Sequence, residues 1–268
     1  MKLKVLVDNN TYIDQYYCGE PAVSYYIEDE DTSFLFDVGY SDLFLRNLNA
    51  FGVDLENIRS IVISHGHDDH TGGLKYYFEQ NHKNNIFIIA HPDAFNEKII
   101  GGLKICSPIL KHELKEKCNL ILSKDPIKVS ENITFLGEIP KVNDFENIKP
   151  IGKQIIGENS IDDYVIDDTA LVYKSENGIY IITGCSHSGI CNIIEYAKKV
   201  CKDNRVLGVI GGFHLFEVNE QVNKTIDYLK QNNVKELYPC HCTSFSVRAE
   251  IHKTLPLKEV GVGLELNW

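Results

Sequence analysis

A chain of 268 residues, 43% of them hydrophobic, is long enough to bury a substantial core in one large domain or two small ones. Its 38 acidic against 27 basic residues leave a net charge of -11 and a pI near 5.4, which argues against nucleic acid or an anionic membrane surface as a partner. No basic segment followed by an apolar stretch opens the chain, and no apolar run approaches the roughly 20 residues that span a bilayer. A cytoplasmic protein acting on a small molecule is the expectation, with its oligomeric state left open.

In chain order, short apolar or alternating runs predict strands at Lys4–Val7, Val23–Ile27, Phe34–Phe36, Ile58–Ile63, Ile86–Ala90, Ile133–Leu136, Leu171–Tyr173, Ile179–Thr183, Val206–Ile210 and Glu236–Tyr238. Helices are expected at Ser41–Phe51, Asn192–Cys201 and Asn219–Asn232, the last carrying Val222, Ile226 and Leu229 at helical spacing. Strands come in groups before helices appear, and they do so twice, in residues 1–100 and 165–268. This predicts two β-rich halves with helices outside. The stretch 96–165 reads as an irregular insertion or lid within a single domain, rich in Lys, Glu, Asn and Gly and broken by Gly101-Gly102, Asp125-Pro126 and Lys149-Pro150. No repeat of solenoid period is present. The eight cysteines are expected to be free thiols, since a chain of this size without a secretion signal needs no staples. Cys240-His241-Cys242 has no CxxC partner elsewhere, which argues against a closed structural zinc site.

The densest chemistry lies in Ser64-His65-Gly66-His67-Asp68-Asp69-His70-Thr71-Gly72-Gly73, directly after the apolar Ile61-Val62-Ile63. In an extended segment His65 and His67 point the same way and can bind one ion, with Gly66 loosening the turn. Asp69 and His70 follow as the chain turns into a helix, facing away and able to hold a second ion. Imidazole and carboxylate together suit zinc first, with iron or manganese as alternatives. The bland alternative is a polar surface loop rich in histidine, and so many ligand-type residues behind one buried strand weigh against it.

His65-x-His67-x-Asp69-His70, preceded by Phe36-Asp37-Val38-Gly39, resembles the metallo-β-lactamase superfamily. The resemblance implies an α+β, four-layer αβ/βα sandwich with a two-metal site between its sheets. Further stretches are similar to the group named after the dihydropterin ribofuranosylaminobenzene 5'-phosphate synthase: Leu6-Val7-Asp8-Asn9, Gly137-Glu138-Ile139-Pro140, Asp168-Thr169-Ala170-Leu171, Thr183-Gly184-Cys185-Ser186-His187-Ser188-Gly189-Ile190, Gly211-Gly212-Phe213-His214-Leu215 and Pro239-Cys240-His241-Cys242-Thr243. They run in order from the first residues to the last quarter of the chain.

A binuclear site needs more ligands than one loop supplies. His187, beyond the strand ending at Thr183, repeats the strand-exit position of His65; its competitor is a helix-cap neighbourhood with an incidental imidazole. His241 follows the strand Glu236–Tyr238 and resembles the late histidine that completes the second metal, with Cys240 and Cys242 pointing away if the segment is extended. Many superfamily members place a bridging aspartate where this chain has Cys185, so either Cys185 ligates or water alone bridges. The usual histidine before that strand is missing, and Asp167-Asp168 stand near its place; one of them, with Asp168 favoured by the match to the group's pattern, is a ligand or an outer acceptor, with helix-cap or loop acidity as the competitor. His214 could bind a phosphate or protonate a leaving group, or merely hydrogen-bond a buried carbonyl. His82, His112 and His252 read as surface residues, and His91 as a minor candidate.

Two divalent cations about 3.5–4 Å apart would activate a shared water and stabilise the developing oxyanion, which makes hydrolysis of a small phosphorylated or diphosphate-containing metabolite the default, with Asp69 orienting the nucleophile. The resemblance implies a narrower alternative, a pterin-related transferase that releases diphosphate. Two departures bear on that substrate: Glu20-Pro21-Ala22-Val23-Ser24 stands where the group carries Glu-His-Gly-Leu-Ser, and Asp68 where it often has an aromatic residue. A glyoxalase II-type esterase would show Gly-His-Thr-x-Gly-Ser, a diiron protein would carry Glu at position 67, and a nuclease would need a basic surface; none is present in the sequence. A non-catalytic metal sensor on the same fold is the remaining alternative, hinted at by Cys185.

Overall fold

The computed structural model describes residues 1–80, 85–146 and 149–268; His82, expected on the surface, lies outside the described residues. The first half runs β1 (Lys2–Val7), β2 (Ser24–Asp29), β3 (Thr32–Phe36), α1 (Leu43–Ala50), β4 (Ser60–Val62), α2 (Asp68–Thr71), α3 (Leu74–Gln80) and β5 (Phe87–Ala90). The middle contributes β6 (Glu97–Ile100), β7 (Leu103–Lys104), α4 (Lys111–Lys117), β8 (Asn119–Leu122), β9 (Ile127–Lys128), β10 (Ile133–Phe135), β11 (Lys153–Ile156) and β12 (Asn159–Asp162). The second half holds β13 (Ala170–Ser175), β14 (Gly178–Thr183), α5 (Ile190–Cys201), β15 (Val206–Gly212), α6 (Glu220–Gln231), β16 (Glu236–Cys240), α7 (Phe245–His252) and β17 (Glu265–Asn267).

Two large sheets pack face to face. One has the order β17-β1-β2-β3-β4-β5-β8, the other β16-β15-β14-β13-β10-β9. Period-two alternation sends one set of side chains between the sheets and the other under the helices. On β4, Val62 joins the inter-sheet core with Phe34, Phe36, Ile182 and Ile210, while Ile61 faces outward with Phe44, Leu48 and Tyr77. On β14, Ile182 points inward and Ile179 and Ile181 meet Ile193, Ile194, Ile226 and Leu229 under α5 and α6. The layers are therefore helix, sheet, sheet, helix, as expected for the α+β sandwich.

Helix ends follow from local chemistry. The Asn219 side chain accepts Val222 N–H at 3.1 Å at the start of α6, and Ser244 Oγ accepts Val247 N–H at 3.3 Å at the start of α7. In α5, Ile190, Ile193, Ile194, Ala197 and Cys201 repeat at the spacing that buries one stripe.

The middle of the chain is more ordered than its composition implies. Strand β8 extends the first sheet in parallel to β5, and β9 and β10 extend the second. Only β6, β7, β11 and β12 stand apart, as a small antiparallel sheet in the order β12-β11-β6-β7. Its strands are short and carry charges on their exposed faces, so alternation was too brief to register as a pattern. All eight cysteines are free, as expected, and no helix among the described residues is long and apolar enough to cross a membrane.

Candidate metal centre

Strands β3, β4, β5 and β8 run parallel, as do β14, β15 and β16. Their carboxyl ends open toward one edge of the sandwich, and four of them lead into a loop with a histidine of the donor set: His65 after β4, His187 after β14, His214 after β15 and His241 after β16. Ligands 176 residues apart in sequence meet because parallel strands point their exits the same way.

Among the described residues, four overlapping groups place donor atoms within 4.8 Å of one another: His65, His67 and Asp69; His65, Cys185 and His187; Asp69, His70, Cys185 and His241; and Cys185, His214 and Cys242. His65 Nε2 faces His67 Nδ1 at 3.0 Å, and the His187 ring centroid stands 4.7 and 5.0 Å from those of His65 and His67. On the other side, His70 Nε2 lies 3.2 Å from Cys185 Sγ and 3.5 Å from Asp69 Oδ2, and His241 Nε2 lies 3.2 Å from the same carboxylate oxygen. Asp69 and Cys185 belong to both sides.

Outer contacts aim these rings. Asp37 Oδ2 accepts from His70 Nδ1 at 2.7 Å and from Ser64 Oγ at 2.6 Å, while its Oδ1 accepts Ser64 N–H at 2.7 Å. With its hydroxyl proton given to Asp37, Ser64 Oγ is left to accept from His65 Nδ1 at 3.0 Å, which leaves the lone pair of His65 on Nε2. His241 Nδ1 pairs with Asn9 Oδ1 at 3.0 Å, and its backbone N–H donates to Asp8 Oδ2 at 3.1 Å.

The donor set fits metal on a direct observation. Buried and without hydrogen-bond partners among the described residues are His67 Nε2, both ring nitrogens of His187 and His214 Nδ1. Each such atom costs on the order of 1–3 kcal/mol if nothing meets it. Burial also holds His65 and His187 well below the ordinary histidine range and His67 down to about 4, so these imidazoles are neutral with lone pairs available. Burial pushes Asp69 up, but His70 and His241 outweigh it and keep the carboxylate ionised. For His70 the desolvation penalty is overcome by Asp69 and Asp37, which hold it well above its ordinary value. The centre thus sets an ionised carboxylate beside neutral imidazoles, the donors a cation would use.

Backbone strain concentrates here. Asp37, Ser186, His214 and His241 all adopt left-handed conformations, with φ of 57°, 57°, 51° and 50°, which costs on the order of 1–3 kcal/mol per non-glycine residue. At His241 this bend corrects the extended reading of the segment. Cys240 does point away, its thiol 3.4 Å from the Tyr25 hydroxyl, but the turn at His241 swings Cys242 into the cavity beside Cys185 and His214. Gly66 has a different role from the flexible turn expected of it. A Cβ there would stand 1.9 Å from the Ala94 carbonyl oxygen, so glycine is required by close approach.

Above the donors lies a cavity of about 390 Å³, walled by Pro21, Tyr40, Ile100, Ile105, Ile151 and Phe216. His67, Asp68, Asp69, Cys185, His187, His214, His241 and Cys242 form its polar side, and among the described residues no Lys or Arg lines it.

A family model of the metallo-beta-lactamase superfamily matches residues 19–198. The chain belongs to the metallo-β-lactamase superfamily. Within that superfamily it is 37% identical over 257 residues to MJ0448, an uncharacterized protein of Methanocaldococcus jannaschii, covering 93% of both chains. It is 32% identical over 263 residues to the 7,8-dihydropterin-6-methyl-4-(beta-D-ribofuranosyl)-aminobenzene-5'-phosphate synthase of the same organism, covering 91% of this chain and 88% of the relative. Among solved structures, Tm1679, a metal-dependent hydrolase of the beta-lactamase superfamily, superposes with a TM-score of 0.84 at 26% identity over 100% of this chain and 99% of its own.

The structure brings His65, His67, Asp69, His70, His187, His214 and His241 together, and it puts Cys185 at their centre. Asp168 joins none of the donor groups among the described residues; its Oδ2 accepts Ser188 N–H at 2.9 Å. His112 and His252 are exposed. His91 is fully buried, accepts Asp93 N–H at 3.1 Å, lies 3.3 Å from Glu138 Oε2 and does not line the cavity. Sequence reasoning missed Cys242, and it saw Asp37 and Asp8 only as parts of motifs. Their signal was an aspartate just past an apolar strand, in Phe36-Asp37 and Val7-Asp8.

Proposed function

We propose that this chain is a binuclear metal-dependent hydrolase acting on a small phosphorylated or diphosphate-containing metabolite. The observation that carries the reading is the set of overlapping donor groups sharing Asp69 and Cys185 at the floor of an otherwise apolar cavity. His65, His67 and His187 would hold one ion; Asp69, His70, Cys185 and His241 would hold the other. Zinc suits this mixture of imidazole, carboxylate and thiol, with iron or manganese as alternatives. Bound divalent ions would supply Lewis acidity and a water acidic enough to be a nucleophile near neutral pH.

The chain's own residues do the rest. Asp69, kept ionised between His70 and His241, orients the attacking water through its carboxylate and accepts its proton. His214, with its ring centroid 4.1 Å from that of His187, lines the cavity where a departing oxygen would need a proton. Because no Lys or Arg among the described residues lines the cavity, the anionic end of a substrate belongs at the metal floor and its remainder against Ile100, Ile105, Ile151 and Phe216. That wall, rather than the metals, selects the substrate.

A second reading, transfer with release of diphosphate onto a pterin-related acceptor, is favoured by the 32% identity to the synthase over nearly the whole chain. Elemental analysis of the purified protein followed by assays on phosphomonoesters, phosphodiesters and diphosphates tests the hydrolase reading, with His67→Ala as control. Turnover lost in His67→Ala supports it. Two bound metals with no turnover on that panel would sink it, and diphosphate release seen only with a pterin acceptor present would establish the transferase. Two metals with neither reaction would leave the metal-sensor alternative standing.

A further inference from the structure

Asp167 and Asp168 are adjacent, completely buried, and bound to different ligand loops. Asp167 Oδ2 accepts the backbone N–H of Gly66, the residue between His65 and His67, at 2.8 Å. Asp168 Oδ2 accepts the backbone N–H of Ser188, the residue after His187, at 2.9 Å, and Ser188 Oγ donates to the Asp168 carbonyl at 3.3 Å. The next residue adds a third tie, Thr169 N–H to the Ser64 carbonyl at 2.9 Å.

Topology explains the reach. Strand β13 is antiparallel to β14 with Ala170 opposite Thr183, so the residues just before β13 lie beside the loop leaving β14. The same residues touch the exit of β4 in the facing sheet. Two consecutive side chains thereby span both sheets.

The charge of Asp167 is supported from a third direction. Its Oδ1 accepts from Lys98 Nζ at 2.7 Å, and Lys98, fully buried on β6, also binds Asp163 at 3.0 Å. The small sheet is further tied to the metal loop by Asp68 N–H to the Ile105 carbonyl at 3.2 Å. The wall residues Ile100 and Ile105 lie on that sheet or next to it.

We propose that Asp167 and Asp168 form a two-loop clamp that sets the spacing between the His65–His67 loop and the His187 loop, acting on the ion those three histidines would hold and not on the ion of Asp69, His70, Cys185 and His241. They are positioning residues, and the clamp rests on the binuclear reading above. The two aspartates differ in what a substitution removes. Asp167 uses both oxygens as acceptors, so an Asn there would turn an N–H toward either Gly66 N–H or Lys98. Among the described residues Asp168 has a hydrogen-bond partner on Oδ2 and none on Oδ1, so an Asn can preserve the Ser188 contact.

The test is zinc titration of the full chain against a chromogenic chelator, with thermal melting of the metal-free protein alongside. Wild type takes up two zinc ions. Asp167→Asn, Asp167→Ala and Asp168→Ala weaken one of the two by about 10–100-fold, the usual loss for partners behind metal ligands, and leave the other unchanged. Asp168→Asn retains both. Equal weakening of both ions in step with a lowered melting temperature, or no weakening of either, overturns the clamp while leaving the binuclear reading intact. Wild type that binds no zinc overturns both. If the Asp167 variants do not fold, the contrast between Asp168→Ala and Asp168→Asn still decides.

Discussion

The loop after β4 and the loops after β14, β15 and β16 reach the same centre by different routes. The first supplies His65, His67, Asp69 and His70 within six consecutive residues, so its geometry follows from one strand exit and one short helical turn. The second supplies His187, His214 and His241 singly, from three parallel strands, and its geometry depends on strand registers set by the core under α5 and α6. One half carries its ligand spacing in its covalent chain, the other borrows it from packing. The local half should therefore tolerate core damage that disperses the other half.

The largest expected effect is on the local half itself. Removing the metals with a chelator should abolish turnover and adding zinc should restore it, and His65→Ala should lose more than the roughly 100-fold that bounds typical outer-partner losses. Turnover surviving exhaustive chelation would break the comparison at its root. Next comes the buried ion triad that anchors the small sheet. Lys98→Met leaves Asp163 and Asp167 buried without their counter-charge and should cost about 3–5 kcal/mol in urea unfolding.

A pH effect of similar sign on both loops follows from the neutral imidazoles. Burial depresses the folded pKa of His67 to about 4 against 6.5 for an ordinary histidine, so the unfolded chain binds more protons in that window. Stability of the metal-free protein should therefore be fully present above pH 6.5 and fall as pH drops toward 4. A flat unfolding free energy across that range would contradict the burial of these rings. A smaller effect tests the outer contacts: Asp37→Ala strips His70 Nδ1 and Ser64 of their acceptor and should weaken metal binding about 10–100-fold, measured by chelator competition. The smallest is a control on the same small sheet, since Lys153→Ala removes the exposed pair with Asp162 and should change stability by no more than about 1 kcal/mol.

Much of the centre was legible because metal ligands impose residue types that few other demands would place together. The run from His65 to His70 names its chemistry without a fold, and the alternating cores of β4, β14 and β15 name the sheets that carry it. Cys185 was visible but ambiguous, since a lone buried cysteine looks the same in sequence whether it packs or ligates. Asp167 was visible as the weaker of two adjacent candidates for a ligand or outer acceptor, with loop acidity as the competitor. Its partners are Gly66, more than a hundred positions earlier, and a lysine in a segment whose composition reads as irregular.

The sequence by itself determined the donor types, the strand exits that present them and the helix–sheet alternation, because these are set by short-range periodicity and by the chemistry of single side chains. Only the tertiary structure decided which exits converge, that Cys242 turns inward at a left-handed His241, and that Ile100 of β6, with Ile105 and Ile151 beside the small sheet, walls the donor cavity. Those features depend on strand order and on contacts between residues far apart in the chain, and no local pattern encodes a distance across two sheets.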